Sequence, residues 1–382
     1  MPKESSTNPI PFVLAAIVIA YVSIVLVKKP QKATPGSETL SAFVPSASAD
    51  TAPDDAPDAA PSTEAEAEAR HVAHSEGTAR VVLVSLDGMH AALVDEMPNM
   101  KELFKEGSHT LKNRVPTAAT TAVSHAALFT GTDPEVNGVT TEPRKDEAIG
   151  NDPRVHGVAF RWKPLLVEET IFTAVEKTGR GVLGYVEKGK LVGLLRADGT
   201  EKGIISKNSI DKAALHDCNA FKDASVGLIV LHFKMIDGAG HEVGWLTPEQ
   251  YKEAKIIDAK LGQVRTCITE ADARDGLSTT LIVTADHGGT PGLKKGHSAN
   301  DDDNRLVPWV AVGPGIKRDY EIEGRTDLPP IKRPRNGKTS VAATMLLYDT
   351  VPTVLRILNM APDSIPNLSP HAKSVDEIFV TD

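Results

Sequence analysis

Only two cysteines, Cys218 and Cys267, stand in a chain of 382 residues, and no Cys-x-x-Cys spacing occurs. That removes a cysteine-based metal or dithiol redox site and leaves open whether the two pair outside the cytoplasm or stay buried and reduced. Basic excess is also missing. The formal net charge is −9, and no basic stripe interleaved with aromatics appears, which argues against nucleic-acid binding. From Thr34 to Arg70 large apolar residues are nearly absent while acids recur (Glu38, Asp50, Asp54, Asp55, Asp58, Glu64, Glu66, Glu68). Such a stretch buries too little surface to offset its ordering entropy and is expected to be a solvated tether.

Charge is absent from one further stretch, Ile10 to Val27, about the length that crosses a hydrocarbon core of roughly 30 Å. The competing reading, a cleaved signal peptide, would need a shorter apolar run and a small-x-small site before Lys28-Lys29, and neither is there. The chain is therefore expected to divide into a tail (1–9), a transmembrane helix (10–27), a disordered acidic Pro/Ala-rich linker (28–76) and a folded domain (77–382). Lys28, Lys29 and Lys32 come after the apolar run and only Lys3 precedes it, a charge bias that by itself puts the folded domain in the cytoplasm.

Within the folded part, short β-branched runs recur at 81–86, 181–185, 226–231, 279–284 and 307–312. Their apolarity is continuous rather than alternating, as in strands covered on both faces. Helical patterns lie between and after them, at 99–104, 124–130, 171–177, 248–268 and 348–358. The alternation predicts an α/β sandwich with a largely parallel central sheet flanked by helices, whose ligands gather at the carboxyl ends of the strands.

Acids and imidazoles collect at those ends. Asp87 closes Ser85-Leu86-Asp87-Gly88, Asp237 and His241 lie just beyond the run at 226–231, Asp286-His287 comes soon after Thr284, and His297 sits in the glycine-rich loop after it. A lone strand-end aspartate is usually a turn former or helix cap. Three carboxylates and three histidines at successive strand ends instead form a donor set of the kind zinc accepts. Thr121 lies in the segment 115–125 that leads into the apolar helix Ala126 to Phe129, which stops at Thr130-Gly131. A hydroxyl there is either an N-cap or a nucleophile lying beside backbone N–H groups that bind a phosphoryl oxygen.

With these blocks in order, the chain resembles the alkaline phosphatase superfamily, and within it the type I phosphodiesterase / nucleotide pyrophosphatase branch with its compact bacterial members. The resemblance covers about Val81 to Leu358. It rests on Ser85-Leu86-Asp87-Gly88, Thr121-x-x-Ser124-His125 with Thr130-Gly131, and His232-Phe233 leading to Asp237-x-x-Gly240-His241-x-x-Gly244-Trp245. Thr284-Ala285-Asp286-His287-Gly288-Gly289 and Val307-Pro308-Trp309 with Gly313-Pro314-Gly315-Ile316 complete it.

The resemblance implies an alkaline-phosphatase-like fold and two Zn2+ per chain, one held by Asp237, His241 and His297, the other by Asp87, Asp286, His287 and Thr121. It implies Thr121 as nucleophile, a phosphothreonine intermediate, and a phosphate-ester substrate, either a nucleotide or another diester. A phosphomonoesterase, or a non-catalytic ectodomain keeping the fold, is the alternative. It also implies a catalytic domain outside the cytoplasm, anchored to the membrane by the N-terminal helix, against the lysine bias. Two departures are visible. Counting from Pro116 selects Ala119 as nucleophile and counting from His125 selects Thr121; the intact helix after His125 favours Thr121, with Thr120 and Thr117 next in line. Glu142 stands where the family has a phosphate-binding asparagine, and Asn137 replaces a histidine.

Overall fold

The computed structural model describes residues 78–381 apart from 143–147, 152–157, 161–168, 196–203, 207–209, 298–301, 330 and 333–339. The expected transmembrane helix at 10–27 and linker at 28–76 lie outside the described residues. Among the described residues no helix is long and apolar enough to cross a membrane.

A nine-stranded sheet forms the centre. Its strands are β1 (Ala79–Leu86), β2 (Ser108–Arg114), β3 (Gly181–Val186), β4 (Ile204–Ser206), β5 (Val226–Phe233), β6 (Ser278–Thr284), β7 (Leu306–Val312), β8 (Tyr320–Glu321) and β9 (Met345–Leu346). They run in the order β8-β2-β7-β6-β1-β5-β3-β4, with β9 beside β2. β7 is antiparallel to both neighbours, and the pairs β6–β1, β1–β5, β5–β3 and β3–β4 are parallel. Val81 to Val84 and Leu86 are fully buried, as continuous apolar runs require when both faces are covered.

Helices flank the sheet in two groups: α1 (Pro98–Glu106), α5 (Met235–Val243) and α6 (Pro248–Asp275) pack together, and α2 (Thr121–Thr130) meets α3 (Ile171–Lys177), α4 (Gly189–Leu195) and α7 (Thr350–Ile357). The two groups meet differently. In the first, α6 buries Ala254, Ile257, Leu261, Val264, Cys267 and Ala271 along one stripe and uses Asp258 to accept the Asn99 and Met100 amides that open α1. In the second, α2 is buried along its whole length, so its sequence carries no amphipathic alternation.

All five expected strands and all five expected helices are present, most with shifted ends; Ile171–Lys177 has the expected ones, and the last helix opens with a 3-10 turn at Leu347–Asp349. The helix expected to stop at Ile268 continues to Asp275 and ends on the left-handed Gly276, because Ala271 keeps the buried stripe going where large apolar residues run out. β2 has no counterpart among the expected strands. Its Ser-His-Thr-Leu-Lys-Asn-Arg run is polar, and it is a strand because β7 and β9 pair with it and Asn113 donates to the Thr284 hydroxyl inside the sheet.

Cys218 and Cys267 form a disulfide, tying a 3-10 segment at 216–221 to α6 across a sequence separation of 49. Closing a loop of that length restricts the unfolded chain, so Cys218→Ser/Cys267→Ser is expected to lower unfolding free energy by about 2–4 kcal/mol. Denaturant melts of the full chain measure this. An unchanged midpoint would mean the bond contributes nothing.

Candidate metal centre

The four adjacent parallel strands β6, β1, β5 and β3 end on one edge of the sheet, and the residues just past each end build the site. Asp87 comes directly after β1, and Asp286-His287 just after β6. α5, which carries Asp237 and His241 one turn apart, comes after β5. Backbone bonds lock the ends together: Asp87 N–H donates to Phe233 O, Asp237 N–H to Asp87 O, and Gly88 N–H to Asp286 Oδ1. Gly88 has φ +74, and a Cβ there would lie 2.8 Å from the Asp237 Cα, so only glycine lets the β1 end approach α5 this closely. Gly289 gives way to the Trp245 indole in the same manner, with a virtual Cβ 2.0 Å from Nε1.

The three histidines share one orientation. Nδ1 lies 2.9 Å from Gly288 O in His287, 3.1 Å from Lys294 O in His241 and 3.2 Å from Ala119 O in His297. A carbonyl only accepts, so each Nδ1 carries the proton and each Nε2 presents a lone pair to the site, the arrangement of metal-ligating imidazoles. His241 and His297 Nε2 are 3.1 Å apart, a repulsive contact between lone pairs unless a cation lies between them.

Asp87 Oδ1, Asp237 Oδ1, Asp286 Oδ2 and His287 Nε2 are buried without a hydrogen-bond partner among the described residues. They converge. His287 Nε2 is 3.5 Å from Asp87 Oδ1, 3.6 Å from Asp286 Oδ2 and 3.9 Å from Asp237 Oδ1, near the separations expected of ligands each about 2 Å from an ion. Orphaned buried acceptors are costly, and a metal ion satisfies them. Two groups of potential ligands result, Asp87/Asp286/His287 and Asp237/His287/His297. His241 joins the second group, its Nε2 lying 3.4 Å from Asp237 Oδ1. All six side chains singled out in the sequence thus come together, and His287 is common to both groups.

The ionisable groups of the cluster shift one another. Burial and the charge of Asp87 push the Asp286 carboxyl up to about 6. Burial also opposes ionisation of Asp87, but Lys188 and then His232 outweigh it and hold Asp87 well below its ordinary value. Burial disfavours a charged His287, yet Asp286, Asp237 and Asp87 raise it. His297 is pushed down to about 4 by burial and by His287. Close-packed carboxylates cannot all ionise without a cation among them.

Thr121 is the first residue of α2, 2% exposed. Thr120 is the N-cap but makes no side-chain cap bond. Instead Glu142 accepts the Ala122 amide at 2.8 Å and pairs with Lys190 at 2.6 Å. Burial works against that carboxylate, but Lys190 and the Ala122 amide hold it below its ordinary value. Glu142 is therefore charged in this arrangement and occupies an amide at the helix end that bears Thr121. Its compensating cation is Lys190. Asn137, fully buried, bonds Thr132 O and the Val139 amide and is a structural staple of its turn.

Sequence reasoning missed Lys188. Its Nζ lies 2.6 Å from Asp87 Oδ2, 2.6 Å from Asp237 Oδ2 and 3.1 Å from Thr121 Oγ1. Burial opposes its charge, but Asp87, Asp237 and Asp286 raise it above the ordinary lysine value. His232 and His125 enter the sequence reading only as letters of a motif. His232 Nε2 pairs with Asp87 Oδ2 at 2.9 Å, and its Nδ1 accepts the Glu187 amide. His125 lies 2.7 Å from Thr121 O and 2.9 Å from the Ser85 hydroxyl. The only available signal was the position of Lys188 just after a strand end.

The sequence pattern of the type I phosphodiesterase / nucleotide pyrophosphatase family matches residues 81–307. No curated protein matches the chain in sequence. Among solved structures, human ectonucleotide pyrophosphatase/phosphodiesterase 5 is similar at 14% identity and TM-score 0.55, covering 79% of this chain and 100% of its own. An inactive variant of its murine counterpart, in complex with AMP, gives 15% identity and TM-score 0.54 over 79% and 100%. A 2-O GAG sulfatase gives 14% and 0.54 over 74% and 71%. At such identities the likeness establishes the fold.

Zinc added to the metal-free full chain is expected to raise its melting temperature, by the equivalent of about 2.7 kcal/mol at a hundred times the dissociation constant. His287→Ala should lose most of that shift, and the exposed His216→Ala should keep it. Calorimetry checks both, and a full shift in His287→Ala would remove His287 from the centre.

Proposed function

The chain belongs to the type I phosphodiesterase / nucleotide pyrophosphatase family and is a hydrolase of that type; from this premise we propose that Thr121 is the nucleophile in zinc-dependent cleavage of phosphodiester or nucleotide pyrophosphate bonds. The observation that carries the reading is the convergence of unpartnered ligand atoms from Asp87, Asp237, Asp286 and His287 beside the helix end that bears Thr121. In this proposal Asp87, Asp286, His287 and Thr121 hold one Zn2+, and Asp237, His241 and His297 hold another. Zinc is favoured because the donors are imidazole nitrogen and carboxylate oxygen without thiolate.

When bound, the metal ions supply Lewis-acid stabilisation of the phosphoryl and leaving oxygens and lower the pKa of coordinated hydroxyl groups. The chain supplies position. Thr121 Oγ1 forms a bond to phosphorus as the bond to the leaving oxygen breaks, and water then cleaves the phosphothreonine to regenerate the hydroxyl. The Nδ1 contacts to Ala119, Lys294 and Gly288 carbonyls fix each imidazole's orientation. Sulfatase chemistry, which needs a Cys or Ser in a Cys-x-Pro-x-Arg setting for its modified nucleophile, finds no support, since both cysteines are committed to the disulfide far from Thr121 in sequence.

One observation favours the second reading, a phosphomonoesterase: the Lys188 ammonium beside Thr121 adds positive charge, which suits a dianionic phosphate more than a singly charged diester. The Cys218–Cys267 bond supports placing the domain outside the cytoplasm, where disulfides persist. Anchoring by residues 10–27 belongs to the same proposal. Protease treatment of intact cells tests it: digestion of the domain is expected, and protection until lysis would reverse the placement.

The zinc-loaded full chain is expected to hydrolyse bis-p-nitrophenyl phosphate faster than p-nitrophenyl phosphate, with Thr121→Ala lowering turnover on the order of a thousandfold or more. Monoester preference would transfer the assignment to the second reading. Undiminished turnover in Thr121→Ala would remove Thr121 as nucleophile.

A further inference from the structure

Lys188 is reached by the loop between β3 and α4, and its placement is built rather than incidental. Its neighbour Glu187 donates its amide to His232 Nδ1 and accepts the amides of Lys234 and Ile210. Lys188 O in turn accepts the Leu191 amide that starts α4. The loop is thereby tied to β5 and to α4, and the side chain, 19% exposed, runs inward.

An ammonium has three N–H donors, and here three acceptors surround it: Asp87 Oδ2, Asp237 Oδ2 and Thr121 Oγ1. The two carboxylates belong to different ligand groups. On each, Lys188 takes Oδ2, and the oxygen left without a partner is Oδ1. Asp87 Oδ2 also meets His232 at 2.9 Å, so that oxygen is already doubly occupied. The lysine and a metal ion therefore address different oxygens of the same carboxylates and do not compete for one.

We propose that Lys188 is a permanent cation of this centre: it bridges Asp87 and Asp237 through their outer oxygens, so that the inner oxygens face the metal position, and it positions Thr121 Oγ1 for attack. The proposal rests on the reading of Thr121 as nucleophile. A donor and a positive charge 3.1 Å from Oγ1 direct the hydroxyl proton away from the ammonium and stabilise negative charge as it develops on that oxygen. The alternative is a placeholder that fills the site only until metal arrives.

Two measurements on the full chain separate these. In the first, amines are acylated with an N-hydroxysuccinimide ester with and without Zn2+, and peptides are quantified by mass spectrometry against the exposed Lys105 (67% side-chain exposure). Lys188 is expected to stay protected in both states, and a rise to the reactivity of Lys105 on adding zinc would overturn the proposal. This readout needs no turnover, so it decides the bridging role even if the hydrolase assay fails and the nucleophile reading falls with it. In the second, Lys188→Met at wild-type zinc content is expected to lose about a hundredfold in kcat with little change in KM, and Lys188→Arg to recover part of it. A Lys188→Met enzyme within about threefold of wild-type kcat at equal zinc content would overturn it.

Discussion

Burying Asp87, Asp237 and Asp286 side by side at the ends of adjacent strands costs free energy that only nearby positive charge offsets. All three side chains are at most 6% exposed, and their inner oxygens have no hydrogen-bond partner among the described residues. The surrounding architecture supplies the offset in layers. His232 and Lys188 take the outer oxygens, backbone amides of Gly88 and His287 take Asp286 Oδ1, and the inner oxygens remain for metal. The sheet makes this concentration of charge feasible, because the parallel strands β6, β1 and β5 hold the three acids that come after them in fixed register on one edge.

The same electrostatics account for Glu142. A carboxylate near a phosphoryl site would repel its substrate if it stood alone, but this one is neutralised by Lys190 and bonded to the Ala122 amide in the first turn of α2. Lys188, at the end of its loop, and Lys190, in the first turn of α4, stand two positions apart and serve different partners, one the acidic cluster and the other this glutamate. The exchange of asparagine for glutamate is thus accompanied by a cation from a different part of the chain. That pairing is a tertiary contact between residues 48 positions apart in sequence.

Much of the site was readable because its ligands are placed by local grammar. Each of Asp87, Asp237 and Asp286 comes after a continuous apolar run, and the glycines beside them mark where backbone must come close, as Gly88 does against Asp237. Choosing Thr121 over Ala119 by counting back from His125 agrees with a helix whose first residue is Thr121. The α5 helix was harder to see, since Met-Ile-Asp-Gly-Ala-Gly-His-Glu-Val contains two glycines that argue against helix. Gly240 is nonetheless needed there because a Cβ would meet the Trp245 indole at 2.7 Å, a requirement of packing that no propensity expresses. β2 was unreadable for a related reason: its buried polar residues Ser108, Thr110 and Asn113 are satisfied by neighbours such as Thr284 rather than by solvent.

By itself the sequence determined the α/β alternation, the family and the six acidic and imidazole candidates at the strand ends, since each is written as a short pattern whose chemistry is local. Only the tertiary structure decided that the cysteines are bonded, that His287 stands between both ligand groups, that Glu142 is matched by Lys190 and that Lys188 joins Asp87, Asp237 and Thr121. The physical reason is the same in each case. A charge or thiol finds its partner through space, across strands that the sheet order brings together, and nothing in the spacing of residues along the chain records that distance.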